Sequence, residues 1–147
     1  MKRNYRTVVI AGCGRLGIHL AEHYSEDGAD VVVLDPDAES FGRLSVGFSG
    51  FTVAGSAAEF RDLKRAGLEK ADLFVAVTES DTLNIMCAEF ARLHFGVRRV
   101  FARVYEPALE EFCASLGISA VSPVTAAASR FVEEIESGVG ALGGAAL

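Results

Sequence analysis

The sequence predicts an α/β fold, a doubly wound sheet of six parallel strands, and three observations predict it. Apolar, β-branched-rich blocks of strand length alternate with longer segments of helical period. Glycines fall where those helices should end. The first block runs directly into G-x-G-x-x-G in "VVIAGCGRLG" (Val8 to Gly17). Strand–helix alternation implies a parallel sheet with helices on its faces, and continuous apolar runs suit strands covered on both sides. The expected strand order is 3-2-1-4-5-6.

Taken in order, the strand blocks are "TVVIAG" (7–12), "DVVVLD" (30–35), "FTVAG" (51–55), "DLFVAVT" (72–78) and "RVFARV" (99–104). "SAVS" around Ala120 is a weaker sixth. Between and after them, helical segments are expected at 15–27, 37–45, 57–67, 80–95, 107–116 and 124–137. Gly28, Gly67, Gly96 and Gly117 sit at the expected C-terminal caps. One domain is expected over 1–137. The remainder, 138–147, is too glycine-rich for a stable helix and reads as a flexible tail or a linker cut short.

Composition narrows the function. A chain of 147 residues, half of them hydrophobic and 23% charged, matches one globular domain. A formal charge of −6 disfavours nucleic acid, whose phosphates require clustered Lys and Arg; Lys2, Arg3 and Arg6 make only a small basic N-terminus. No apolar run approaches a membrane span, and no signal-peptide core follows Met1. Cys13, Cys87 and Cys113 form neither a disulfide framework nor a metal knuckle, so a cytoplasmic protein is expected.

The glycine turn carries the chemistry. Gly12 permits a tight turn, Gly14 lets backbone approach a pyrophosphate, and Gly17 lets the helix pack on the strand, as in Rossmann-type dinucleotide sites. The helix opening near Arg15 aims free N–H groups and its positive dipole end at phosphates. Asp35 ends the second strand eighteen residues beyond Gly17, where an acid grips ribose hydroxyls and repels a 2′-phosphate. NAD or adenosine nucleotides are therefore expected over NADP. The plain alternative is that Asp35 caps the turn "DPDAES". Arg15 has two readings as well: a guanidinium over the phosphates, or a solvated helix residue near His19 and Glu22. For Cys13, a helix N-terminus would lower the thiol pKa and suit a redox sensor, whereas the simpler reading is a small space-filler.

Catalytic groups are not apparent. No tyrosine begins Y-x-x-x-K, there is no G-x-S-x-G elbow, and no Cys–His pair is in view. His19 and His23 lie four apart, but Leu20 stands where H-E-x-x-H needs glutamate, and Leu16, Leu20 and Tyr24 take the apolar stripe. His94 sits at a helix end, where a dipole contact suffices.

Four stretches go beyond a generic Rossmann pattern: "GCGRLG", "LKRAGLEKADLFVAVTESDTLNI", "VRRVFARVYEP" and "LGISAVSPVTAAA". Through them the chain, over about residues 6–137, resembles the N-terminal RCK domain (regulator of potassium conductance), also called the Trk or Ktr nucleotide-binding domain. The resemblance implies a non-enzymatic domain that binds NAD(H), ATP, ADP or AMP. It implies a dimer or ring whose shape, set by the nucleotide, gates a potassium-translocating membrane subunit. The domain would then be cytoplasmic and peripheral to the inner membrane. By the same resemblance Gly12, Cys13, Gly14, Arg15, Leu16 and Gly17 hold phosphates, and Asp35 with Pro36 takes the adenosine ribose. Val77, Thr78 and Glu79 line the far half of the site, and Arg103 approaches the phosphates; without the resemblance Arg103 is a satisfied strand-end charge. Two departures stand out. Ser56 and Ala57 occupy the place of a frequent acid near adenine, and Val124 stands where some members carry a metal-binding glutamate, so no metal is predicted.

The final segment, "TAAASRFVEEIESG", puts Ala126, Ala127, Phe131, Val132 and Ile135 on an apolar stripe. The resemblance implies a helix that crosses to a neighbouring protomer; the alternative is a sixth helix covering its own sheet. Two rival functions remain: an NAD-dependent oxidoreductase domain lacking its substrate domain, and a ligand-free assembly scaffold.

Overall fold

The computed structural model describes residues 4–138; the 139–147 stretch of the expected tail, with Lys2 and Arg3, lies outside the described residues. Six strands, β1 (Thr7–Ala11), β2 (Asp30–Asp35), β3 (Phe51–Ala54), β4 (Leu73–Ala76), β5 (Arg99–Arg103) and β6 (Ser119–Val121), form one sheet in the order β3-β2-β1-β4-β5-β6. Every pairing is parallel, with Ile10 opposite Val33 on one side and Val75 on the other. The α-helices are α1 (Arg15–Glu26), α2 (Phe60–Arg65), α3 (Asp81–Leu93), α4 (Leu109–Ser115) and α5 (Pro123–Ser137).

Two expected helices differ. The 37–45 segment is a 3-10 helix, Ala38–Arg43, started by Asp37, whose side chain accepts from the Glu39 amide. Its serine and glycine content gives little support to a longer α-helix. The 57–67 segment narrows to α2, with a second 3-10 turn at Leu68–Lys70 beyond Gly67. Gly28, Gly67, Gly96 and Gly117 all take positive φ at or just beyond helix ends, as placed from sequence.

The core splits across the sheet. On one face Val9, Ala11, Phe74, Ala76, Val100 and Ala102 pack with Leu63, Cys87, Ala88, Ala91 and Cys113 from α2, α3 and α4. On the other, Val8, Ile10, Val31, Val33 and Val75 pack with Ala21 of α1, and Phe41, Leu44 and Phe48 close the β2 side. The expectation that all strands are covered on both faces fails here. β4 is buried throughout and β1 from Val8 onward, whereas β5 alternates: Val100 and Ala102 are buried, and Arg99, Phe101 and Arg103 are half-exposed. On the α1 face, among the described residues, nothing covers β5 and β6 beyond α1, because α5 leaves the sheet. No residue of α5 is buried; Phe131 is 68% and Ile135 73% exposed. The helix therefore does not cover its own sheet.

Candidate functional site

The order of strands reverses at β1, so the carboxyl ends of β1 and β4 diverge and open a crevice. A cleft of about 820 Å³ lies there, in the range of cofactor sites. The glycine turn forms its floor. Gly12 has φ +114°, and a Cβ there would lie 2.6 Å from the Val77 carbonyl oxygen. A Cβ on Gly17 would lie 1.9 Å from the Gly12 carbonyl oxygen, so only glycine lets α1 start this close to the turn. Gly14 is different: a Cβ there would meet nothing within 4 Å, and its φ of −85° suits any residue. Its lack of a side chain leaves room for a ligand rather than for the fold. Gly14 also gives α1 no side-chain cap, whereas Ser80 and Ser122 cap α3 and α5. The first-turn amides of α1 have no intrahelical acceptor and face the cleft mouth, a ready anion site.

Cys13 fastens the turn to the segment after β2 through all three of its polar groups. Its amide donates to Asp35 Oδ2 at 2.8 Å, its carbonyl accepts from Arg43 Nη2 at 3.0 Å, and its thiol donates to the Ser40 carbonyl at 3.5 Å. Burial, chiefly, raises the Cys13 pKa, with the Asp35 charge adding to it. The lowering expected from the helix N-terminus is overturned: the side chain points back into the core, not towards the dipole. Asp35 also accepts from the Asp37 amide through Oδ1 at 2.8 Å, so it does cap the following turn. Each oxygen accepts one protein hydrogen bond and keeps lone-pair capacity for a ribose hydroxyl. Capping and ribose binding are thus compatible. With Asp37 beside it, the wall is acidic where a 2′-phosphate would sit.

The opposite wall depends on Asn84. This fully buried side chain accepts from the Thr78 amide (2.9 Å) and hydroxyl (2.6 Å) and donates to the carbonyls of Thr78 and Arg103 (3.0 and 2.9 Å). It clamps the ends of β4 and β5 together. Asp81 extends the clamp by accepting from the Tyr105 and Glu106 amides. Arg103 donates to the Thr78 carbonyl at 2.6 Å and lies over the Tyr105 ring, yet its buried Nε has no partner. It is only partly the satisfied strand-end charge.

Of the residues singled out from sequence, Gly12, Cys13, Gly14, Arg15, Leu16 and Asp35 line the cleft. So do Pro36, Ser56, Ala57, Val77, Thr78, Glu79 and Arg103. Gly17 does not; it sits behind the turn. Arg15 is exposed, and among the described residues it makes no hydrogen bond or ion pair. Ser40, Arg43, Tyr105 and Pro123 also line the cleft and were not singled out as site residues, because only the course of the chain in space brings the 3-10 helix, the segment after β5 and the start of α5 to the cleft. Ser56 accepts from the Ala58 amide and donates its own to Asp62, making a tight turn where the acid is missing. The bond from the Ser56 amide comes first among the causes that lower the Asp62 pKa.

The histidines lie outside the cleft. His23 is 3.6 Å from Asp27 and edge-on to Tyr24, while His94 packs against Phe60 and Phe95 rather than serving only as a dipole contact. Among the described residues no group of three His, Cys, Asp or Glu side chains could hold a metal, and no helix is long and apolar enough to cross a membrane.

The family model of the TrkA-N domain matches residues 8–123. This chain belongs to the TrkA-N domain family. It is 40% identical, over 128 residues, to the Trk system potassium uptake protein TrkA of Streptomyces coelicolor. That match covers 87% of this chain and 57% of the relative, so the chain spans little more than half of that protein's length. Among solved structures it resembles the AMP-bound Kef C-terminal domain of Shewanella denitrificans, with TM-score 0.78, 22% identity, and 94% and 84% of the two chains covered. It also resembles the GsuK channel bound to NAD, with TM-score 0.76 and 20% identity, covering 92% of this chain and 24% of that one. At those identities the likeness concerns the fold, and the TrkA-N fold is the one described above.

Proposed function

We propose that this TrkA-N domain is a nucleotide sensor: it binds NAD(H), or ATP, ADP or AMP, in the switch-point cleft and does no chemistry on it. The observation that carries this reading is the pairing of the uncapped α1 N-terminus, open above Gly14, with Asp35 across the turn. The amides and Arg15 would hold phosphates, Asp35 the ribose hydroxyls, and Arg103 and Tyr105 the far end. Among the described residues Tyr105 is the one phenol in the cleft wall, and no lysine or histidine of them lines the cleft beside it to complete a hydride-transfer site. The AMP and NAD carried by the two structural neighbours, and the potassium-uptake name of the Streptomyces relative, support a cytoplasmic regulatory role in potassium transport. In that role the domain works as a dimer or ring on a potassium-translocating membrane subunit. Helix α5 crosses to a neighbouring protomer, since its apolar stripe has no cover in its own.

Calorimetry against NAD, NADH, ATP, ADP, AMP and NADP tests the sensor reading. At least one adenosine nucleotide binds, NADP binds at least tenfold more weakly than NAD, and Asp35→Ala weakens binding by about 1–3 kcal/mol. No heat with any of them contradicts the reading. Steady NADH turnover with aldehydes, ketones or quinones, lost in the same variant, favours an oxidoreductase.

A further inference from the structure

Phosphates at the α1 N-terminus and a ribose at Asp35 leave the base of a nucleotide on the β2–β3 side of the cleft, because each half of a doubly wound sheet takes one mononucleotide. The lining on that side offers little to the edge of a base. Pro36 and Ala57 are small and apolar, and the Ser56 hydroxyl already accepts from the Ala58 amide. Asp62, the acid bonded to that turn, is taken by the Ser56 amide and by Arg65, and Asp37 spends one oxygen on the Glu39 amide. Arg43 is the one cation of the described residues on this side.

Arg43 is also held as a platform. It ends the 3-10 helix Ala38–Arg43, which is pinned to the glycine turn at two points. The Cys13 thiol donates to the Ser40 carbonyl at 3.5 Å, and Arg43 Nη2 donates to the Cys13 carbonyl at 3.0 Å. That in-plane bond uses one of the five guanidinium N–H donors and leaves the faces of the plane open to stacking. Arg99 and Arg103 lie over the Phe101 and Tyr105 rings, whereas Arg43 lies over no ring and pairs with no acid among the described residues. A planar cation with an idle face, exposed along a cleft, is complementary to the π-face of a base.

We propose that Arg43 holds the base in this cleft, its guanidinium plane stacked on the face of the purine. The proposal rests on the nucleotide reading above and adds to it how the base is read. A π-face carries no record of the exocyclic group, so stacking accepts adenine and hypoxanthine alike.

Calorimetry and NMR of the 147-residue chain test this, with AMP, inosine 5′-monophosphate, NADP and ribose 5-phosphate as probes and melting as the folding control. AMP and inosine monophosphate bind wild type within about threefold of each other. Arg43→Leu raises both dissociation constants about fivefold or more. Arg43→Lys keeps the charge and a donor for the Cys13 carbonyl but has no plane, and it loses as much as Arg43→Leu. AMP moves the Arg43 Nε–H proton signal upfield through the ring current of the base, and ribose 5-phosphate does not. Should Arg43→Leu fail to fold, Arg43→Lys and the wild-type shift decide. Full AMP affinity in Arg43→Lys, or a loss confined to NADP, makes Arg43 a point charge for a phosphate and overturns the proposal. AMP affinity unchanged in Arg43→Leu overturns it too, as does strong rejection of inosine monophosphate, which marks a reader of the base edge. In each of those cases wild type still binds AMP and the nucleotide reading stands; no heat with any nucleotide overturns both.

Discussion

The two ends of this sequence contrast in how completely the chain satisfies itself. At the glycine turn the surrounding polar groups are used: Cys13 is tied by amide, carbonyl and thiol, Asp35 accepts two amides, and Asn84 makes four hydrogen bonds. What stays free there, the α1 amides, Arg15 and the Nε of Arg103, belongs to the cleft lining. At α5 and the open sheet face the reverse holds. Apolar groups face water, and the Nε of Arg99, whose guanidinium lies over Phe101, has no hydrogen-bond partner. The contrast teaches where ligands of each kind belong. A preorganised shell with a few free polar groups suits a small polar ligand, and an uncovered apolar face suits another protein surface.

Substitutions can break this contrast. The largest effect is expected at Gly17→Ala, whose methyl would collide with the Gly12 carbonyl oxygen. Loss of about 3 kcal/mol or more of stability is predicted by denaturant melting, because backbone must move on both sides of the turn. A Gly17→Ala variant as stable as wild type would mean that the turn is not rigid. Gly14→Ala sharpens the point from the other side. Stability should stay within about 0.5 kcal/mol, as no atom opposes the methyl, while affinity for NAD drops about tenfold or more. Equal losses at Gly14 and Gly17 would erase the distinction between a glycine kept for the fold and one kept for the ligand. The smallest effect concerns Cys13. With its thiol pKa raised by burial, it stays protonated at neutral pH and should alkylate at least tenfold more slowly than a cysteine peptide at pH 7.5. Rapid labelling of Cys13 in the folded protein would restore the redox-sensor reading.

Much of the turn was legible in the sequence, because its determinants are local. Gly12, Gly14 and Gly17 are spaced by the geometry of a strand-to-helix turn, and Asp35 follows from the length of one helix and one strand. The walls were less legible. Ser40 and Arg43 reach Cys13 only because a 3-10 helix folds back over the turn, and Tyr105 arrives through the Asp81 clamp. Those are contacts across dozens of residues that leave no periodic trace. The open face did leave one. "RVFAR" alternates, and alternation marks a strand with one exposed side, yet its neighbours' continuous apolar runs drew it into the same class. Asn84 sat in plain sight within "ESDTLNI", but a buried asparagine on a helix gives no sign of which carbonyls it will hold.

Hydrogen exchange of the wild-type chain, with and without saturating NAD and at two protein concentrations, tests the division of labour directly. NAD should slow the amides of residues 14–16 and 78–80 at least tenfold at both concentrations. Protection of α5 should rise with protein concentration if its cover comes, as proposed, from a second copy. Nucleotide protection that spares the turn, or an α5 equally protected at every concentration, would contradict the account.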